Sequence, residues 1–104
     1  MKTIAFKMKL HPGFKEEYRR RHAEVWPDLQ QLLKEYGISD YSIFLDEETN
    51  ILFAVQKLAE KEPRIDLRGH PVMKKWWDYM ADIMDVNPDN SPVAVPLEQV
   101  FYLE

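Results

Sequence analysis

The sequence predicts an α+β domain built on one four-stranded antiparallel sheet. Three features carry this reading. Residues 2–10 alternate with a period of two. Two long stretches, 14–36 and the one opening at Pro71, repeat apolar residues every three to four positions. Two further strand-like runs, 41–46 and 51–58, are joined by a short polar turn. With a last strand near the C-terminus the order is β-α-β-β-α-β, the split βαβ or ferredoxin-like plan, with both helices on one face.

Each element has a local reason. In the first strand Ile4, Phe6, Met8 and Leu10 point one way, and Thr3, Ala5, Lys7 and Lys9 the other. His11-Pro12-Gly13 ends it. Over 14–36, Phe14, Tyr18, Val25, Leu29, Leu32 and Tyr36 fall within about 60° of one another on a helical wheel. Pro27 removes a backbone bond to residue 23 and is expected to kink this helix. Gly37 supplies its stop. Glu47-Glu48-Thr49-Asn50 is the hairpin turn. Pro63 is expected to open a short helix that Gly69 ends. Pro71 opens the next one, where Met73, Trp76, Trp77, Met80, Ile83 and Met84 keep the apolar spacing. Asn87-Pro88-Asp89-Asn90-Ser91-Pro92 is a dense turn, and residues 97–103 are expected to form the last strand.

The whole chain, residues 1–104, reads as a single domain. Its 14 Lys+Arg against 18 Asp+Glu give a net charge of −4, which argues against nucleic acid as a partner. Cysteine is absent, so thiolate chemistry and disulfides are excluded. The N-terminus starts like a signal peptide, but Lys7 and Lys9 interrupt the apolar stretch. No apolar run approaches the roughly 20 residues of a membrane span. A soluble cytoplasmic protein with no membrane partner is the plain expectation.

The sheet should have two apolar faces. Against the set Ile43, Leu45, Ile51, Phe53 and Val55 stand Phe44, Leu52, Ala54, Leu58, Val100 and Tyr102. An uncovered apolar face of that size marks an interaction surface. A second copy is the simplest cover, which predicts a homodimer with sheets face to face.

His22 is the first candidate for chemistry. It lies one helical turn after Tyr18 and one before Trp26, near the edge of the apolar stripe. A histidine there can titrate near neutral pH and act as a general acid or base. Spacing alone favours the plainer alternative, a core-edge histidine bonded to a carbonyl. Trp76-Trp77 is the second candidate, either core packing or an aromatic platform for the weakly apolar face of a sugar. Tyr18 and Tyr41 could supply hydroxyl partners to such a ligand. The Asn87–Pro92 loop carries groups able to bond a polyhydroxy ligand, but these are turn formers first. His11, His22 and His70 have no short ligand spacing, which argues against a metal. Arg19-Arg20-Arg21, beside Glu16, Glu17 and Glu24, reads as a solvated, salt-bridged face.

These residues together resemble the L-rhamnose mutarotase family. The resemblance rests on Glu17-Tyr18-Arg19-Arg20-Arg21-His22 with Val25-Trp26-Pro27, on Tyr41-Ser42-Ile43-Phe44-Leu45-Asp46, and on Trp76-Trp77-Asp78-Tyr79-Met80. It continues through the Asn87–Pro92 loop to Val100-Phe101-Tyr102-Leu103, so it spans nearly the whole chain. It implies a dimeric α+β barrel that interconverts the α and β anomers of L-rhamnose without metal or cofactor. It also implies that His22 is the proton donor and that Tyr18, Tyr41, Trp76 and Trp77 contact the sugar. Residues 59–70 depart from the family pattern, with prolines at 63 and 71 where a helix with a large aromatic more often continues.

The chemistry is ring opening and reclosure. His22 would protonate the ring oxygen on opening and take the proton back on closure. Tyr18, Asp78 or a water would serve the O1 hydroxyl, and the rings or Met80 would line a pocket for the 6-deoxy methyl group. Two rivals share the plan: a cofactorless monooxygenase of the dimeric α+β barrel group, and a non-catalytic small-ligand-binding dimer. Oxygen consumption would mark the first. Binding without faster anomer exchange would mark the second.

Overall fold

The computed structural model describes residues 1–60 and 65–104. The elements run β1 (Lys2–Lys9), α1 (Lys15–Ala23), α2 (Pro27–Tyr36), β2 (Ile38–Asp46), β3 (Ile51–Leu58), α3 (Pro71–Met80) and β4 (Val95–Pro96). The sheet order is β2-β3-β1-β4, and every pairing is antiparallel. All three helices pack on one face, where Met8, Leu10, Leu52 and Ala54 meet Tyr18, Leu29, Leu32, Met73, Trp76 and Met80. The split βαβ plan therefore holds. The short helix expected to open at Pro63 lies outside the described residues, and Leu67–Gly69 form a turn.

The expected single helix over 14–36 is two helices. Pro27 lacks the N–H that would continue the ladder, and it disfavours helical geometry in the residue before it. Trp26 accordingly sits at φ −63°, ψ 135°, as the N-cap of a new helix with Pro27 in its first turn. A kink was expected; the chain instead stops and restarts. At the far end Gly37 takes φ 104°, and its N–H bonds the Lys34 carbonyl. A Cβ there would come within 2.9 Å of the Ala59 Cβ, so this stop requires glycine.

The expected face sets of the sheet also need correction. Cα pairing sets Leu45 opposite Leu52 and Ile43 opposite Ala54, so these four share the helix-covered face. Phe44 pairs with Phe53, and Val55 with both Ser42 and Ala5, on the other face. The second strand of the hairpin is one residue out of phase with the sequence-based assignment. The outer face remains apolar, with Phe44, Phe53, Val55 and Val95 exposed.

The last strand is shorter and earlier than expected. Residues 95–96 pair with Phe6 and Lys7, and the Leu97 N–H bonds the Ala5 carbonyl. From Glu98 onward the chain leaves the sheet, and Val100, Phe101, Tyr102 and Leu103 are 71–90% exposed. Residues 97–103 do not form a strand: pairing with β1 stops at Pro96, with one further bond from Leu97. The segment after α3 does pair: Met84 bridges Leu10, and Val86 bridges Pro92 to close the turn-rich loop.

Candidate active site

Between the helices and the sheet lies a cavity of about 870 Å³. Tyr18, His22, Tyr41, Trp76 and Trp77 all line it. They come from three elements that are distant in sequence, so their convergence is a product of the fold.

Helical spacing places Tyr18 and His22. Four residues apart on α1, they stack with ring centroids 4.2 Å apart. The His22 Nδ1 lies 3.0 Å from the Tyr18 carbonyl, which can only accept, so Nδ1 carries the proton. Nε2 is left as the basic nitrogen. Burial lowers the pKa of His22 from its ordinary value, and the carbonyl bond only partly opposes this. The imidazole is therefore neutral at pH 7. The carbonyl bond of the plain reading and a place in the cavity, with Nε2 uncommitted, belong to the same side chain.

A β-bulge places Tyr41. Ser39 pairs with Lys57, but Ser42 pairs with Val55, so β2 holds one extra residue between them. Asp40, at φ 46°, absorbs the irregularity. Before the bulge the even-numbered Ile38 points into the core; after it the odd-numbered Ile43 and Leu45 do. Tyr41 thus lies on the helix side, edge-on to Phe6 at 6.4 Å. Burial pushes its hydroxyl up to about 12 and drives that of Tyr18 higher still. Both phenols stay protonated and serve as neutral donors.

Pro71 and His70 place the tryptophans. The His70 Nδ1 accepts from the Val72 N–H at 3.2 Å and caps α3. Trp76 and Trp77 follow, both nearly buried. Trp76 stands edge-on to His22 at 5.3 Å and to Trp26 at 5.2 Å. Trp26 does not continue the Tyr18–His22 row, because the break at Pro27 turns it toward α3. It stacks on Tyr79 at 5.8 Å. Arg68 covers the Trp77 ring at 5.5 Å.

Other expected candidates fall elsewhere. Asp78 is exposed on the outer side of α3, where it accepts from Asn90 at 3.0 Å. It does not line the cavity. The polar groups of the Asn87–Pro92 loop bond one another: Asn87 Nδ2 donates to the Ser91 Oγ at 3.0 Å and to the Pro92 carbonyl at 3.3 Å. The turn reading of that loop is the right one. Each histidine is separately engaged, His11 with Asp85, His22 with Tyr18 and His70 with Val72. Among the described residues no three His, Cys, Asp or Glu side chains gather to hold a metal, and no helix is long and apolar enough to cross a membrane.

The arginine run divides. Arg20 pairs with Glu17 and Glu24 at the surface, and together with Arg21 it holds the Glu17 carboxyl down at about 2. Arg21 is 8% exposed and reaches across to α3. The reading of a wholly solvated face was wrong for Arg21. On the helical wheel it lies about 60° from Tyr18, almost as close to the stripe as His22. That position was the available signal; the charge hid it.

Comparison with known proteins agrees with this geometry. A family model described as L-rhamnose mutarotase matches residues 3–103. The L-rhamnose mutarotase of Formosa agariphila is 60% identical over 104 residues, with all of both chains covered. That of Sinorhizobium fredii is 60% identical over 103 residues, covering 99% of each chain. A crystal structure of L-rhamnose mutarotase from Formosa agariphila superposes with a TM-score of 0.93 at 59% identity, covering all of both chains.

Proposed function

This chain belongs to the L-rhamnose mutarotase family, and on that premise we propose that it interconverts the α and β anomers of L-rhamnose with His22 as its acid/base group. The observation that carries the residue assignment is the single cavity lined by Tyr18, His22, Tyr41, Trp76 and Trp77.

The protonation state of His22 shapes the mechanism. The neutral Nε2 takes the proton of the O1 hydroxyl, and O1 becomes the carbonyl oxygen as the C1–O5 bond breaks. The same proton passes from the imidazolium to O5. The product is the open-chain aldehyde with a hydroxyl at C5. Rotation about C1–C2 presents the other carbonyl face, and the steps reverse. O1 and O5 share one carbon, so one imidazole can serve both. Donation to the ring oxygen on opening matches the expected role of His22. Tyr18 and Tyr41 cannot be bases with pKa values raised so far, so they fix sugar hydroxyls as donors. Trp76 and Trp77 wall the sugar, and Met73 and Met80 offer apolar surface for the 6-deoxy methyl group.

NMR saturation transfer between the two anomeric protons of L-rhamnose tests the activity. The protein should accelerate exchange; an unchanged rate overturns the reading. The exposed apolar residues of the outer sheet face support a homodimer closed sheet to sheet, and membership of the family is the ground for placing the protein in the cytoplasm, serving rhamnose use. Light scattering at micromolar concentration should give twice 12.4 kDa.

A further inference from the structure

We propose that Arg21 is a positioning residue for His22, holding α1 against α3 so that the imidazole keeps its place beside Trp76. The proposal rests on the acid/base reading of His22. The helix that carries His22 is only nine residues long, has no side-chain N-cap, and buries two residues, Tyr18 and Arg21. A helix so short gains little from its own hydrogen bonds. Its seat therefore depends on those two side chains.

Arg21 uses its whole guanidinium for this. Nε donates to Glu17 at 2.7 Å, within α1. Nη1 donates to the Tyr79 carbonyl at 2.7 Å and to Asp82 Oδ1 at 2.9 Å, and Nη2 reaches Asp82 Oδ2 at 3.3 Å. The Tyr79 carbonyl belongs to the last turn of α3, where no backbone N–H of the helix remains to pair with it. Arg21 thus caps α3 from outside, at the end where a cation is favoured. Its guanidinium also lies over the Tyr79 ring at 4.5 Å. From there contacts close a ring: Tyr79 stacks on Trp26, Trp26 meets Trp76, and Trp76 meets His22, the neighbour of Arg21 in sequence. Both sides of the acid/base group are tied to one planar fork. Lysine, with one ammonium, cannot reproduce that fork.

The test is Arg21→Lys and Arg21→Gln, with Asp82→Asn as a milder variant should the others fail to fold. Each is measured for kcat and KM of anomer exchange and for the ¹⁵N signals of the His22 ring. We expect kcat to fall 10–100-fold in the Arg21 variants, KM to stay within about threefold, and the His22 ring signals to shift. Asp82→Asn should show the same pattern more weakly. Unchanged kcat and unchanged ring signals in a folded variant overturn the proposal. So does a loss of activity accompanied only by a lower Tm, with the ring signals in place. If the ring signals shift but His22→Asn itself exchanges anomers at the full rate, the positioning stands and the acid/base reading fails.

Discussion

Trp76 meets His22 edge to face, with ring centroids 5.3 Å apart and planes at 88°. On its other side His22 stacks on Tyr18 at 4.2 Å. The imidazole is thus flanked by a perpendicular indole and a stacked phenol, and its Nδ1 is committed to a backbone carbonyl. Only Nε2 is left for substrate. This arrangement governs the first two predictions.

His22→Asn should fold normally and lose about 10²–10⁴ of the anomer-exchange rate, the usual worth of one general acid/base group. The KM for L-rhamnose should change little. Saturation transfer on wild type and variant at matched concentration checks both. Full activity in the folded variant would remove His22 from the mechanism.

The pH profile follows from the burial of His22. Its folded pKa lies below the ordinary value near 6.5 because desolvation disfavours the imidazolium. The rate should stay level as pH drops past the ordinary histidine value and fall only where pH passes through the lowered folded pKa, with the slope of a single proton. Stability moves the same way. In the window between the folded pKa and about 6.5 the unfolded chain holds the extra proton, so stability declines as pH drops and levels off below the folded pKa. Thermal melts from pH 5 to 8 should show this decline, and His22→Asn should remove it.

Trp77 is buried in the core and lines the cavity, and two substitutions separate packing from the proposed sugar contact. The side chain is 9% exposed, so Trp77→Ala should cost about 3–5 kcal/mol in stability by urea melts. Trp77→Phe keeps most of the volume and should mainly raise KM. An unaltered KM in Trp77→Phe would take the ring out of sugar contact. Discrimination between L-rhamnose and its 6-hydroxy analogue should stay within about 1–3 kcal/mol, since one added hydroxyl is all that differs in the apolar pocket.

Deletion of Asp40 should leave the sheet folded and sugar binding intact. The bulge is one extra residue, and without it Tyr41 stays on the helix-covered face, opposite Gln56, in unbroken alternation from Ile38 to Leu45. Asp40→Gly keeps the residue count, suits φ 46°, and should retain activity. L-rhamnose titrations of the two variants, followed by chemical shift, check both expectations.

Phe44→Glu should yield a folded monomer. Phe44 is 62% exposed on the edge strand β2, beside Phe53 on the apolar outer face. A charge buried there without a partner opposes association. Mass near 12.4 kDa by light scattering is the expected result. An unchanged dimer would place the interface elsewhere.

The sequence by itself determined the element types and their order. Periodicities of two and 3.6 are local properties, so β1, the β2–β3 hairpin and the α3 face were all readable, and Gly37 and Pro71 marked real helix ends. The candidate residues that line the cavity were legible too, through a motif set specific to one family; helical spacing alone favoured plain core readings of His22 and the tryptophan pair. Tertiary structure decided what local patterns do not encode. Pro27 ended a helix rather than bending it, because Trp26 had an aromatic partner in Tyr79 to turn toward. The bulge at Asp40 let Ile38 and Tyr41, three residues apart, share the helix-covered face, and a one-residue shift in strand pairing is nearly invisible in sequence. Arg21 looked solvated because charge usually is; the open carbonyl of Tyr79 and the carboxylate of Asp82 made its burial favourable. The final apolar run at 100–103 alternates like a strand, but a strand needs a neighbour, and among the described residues none pairs with it.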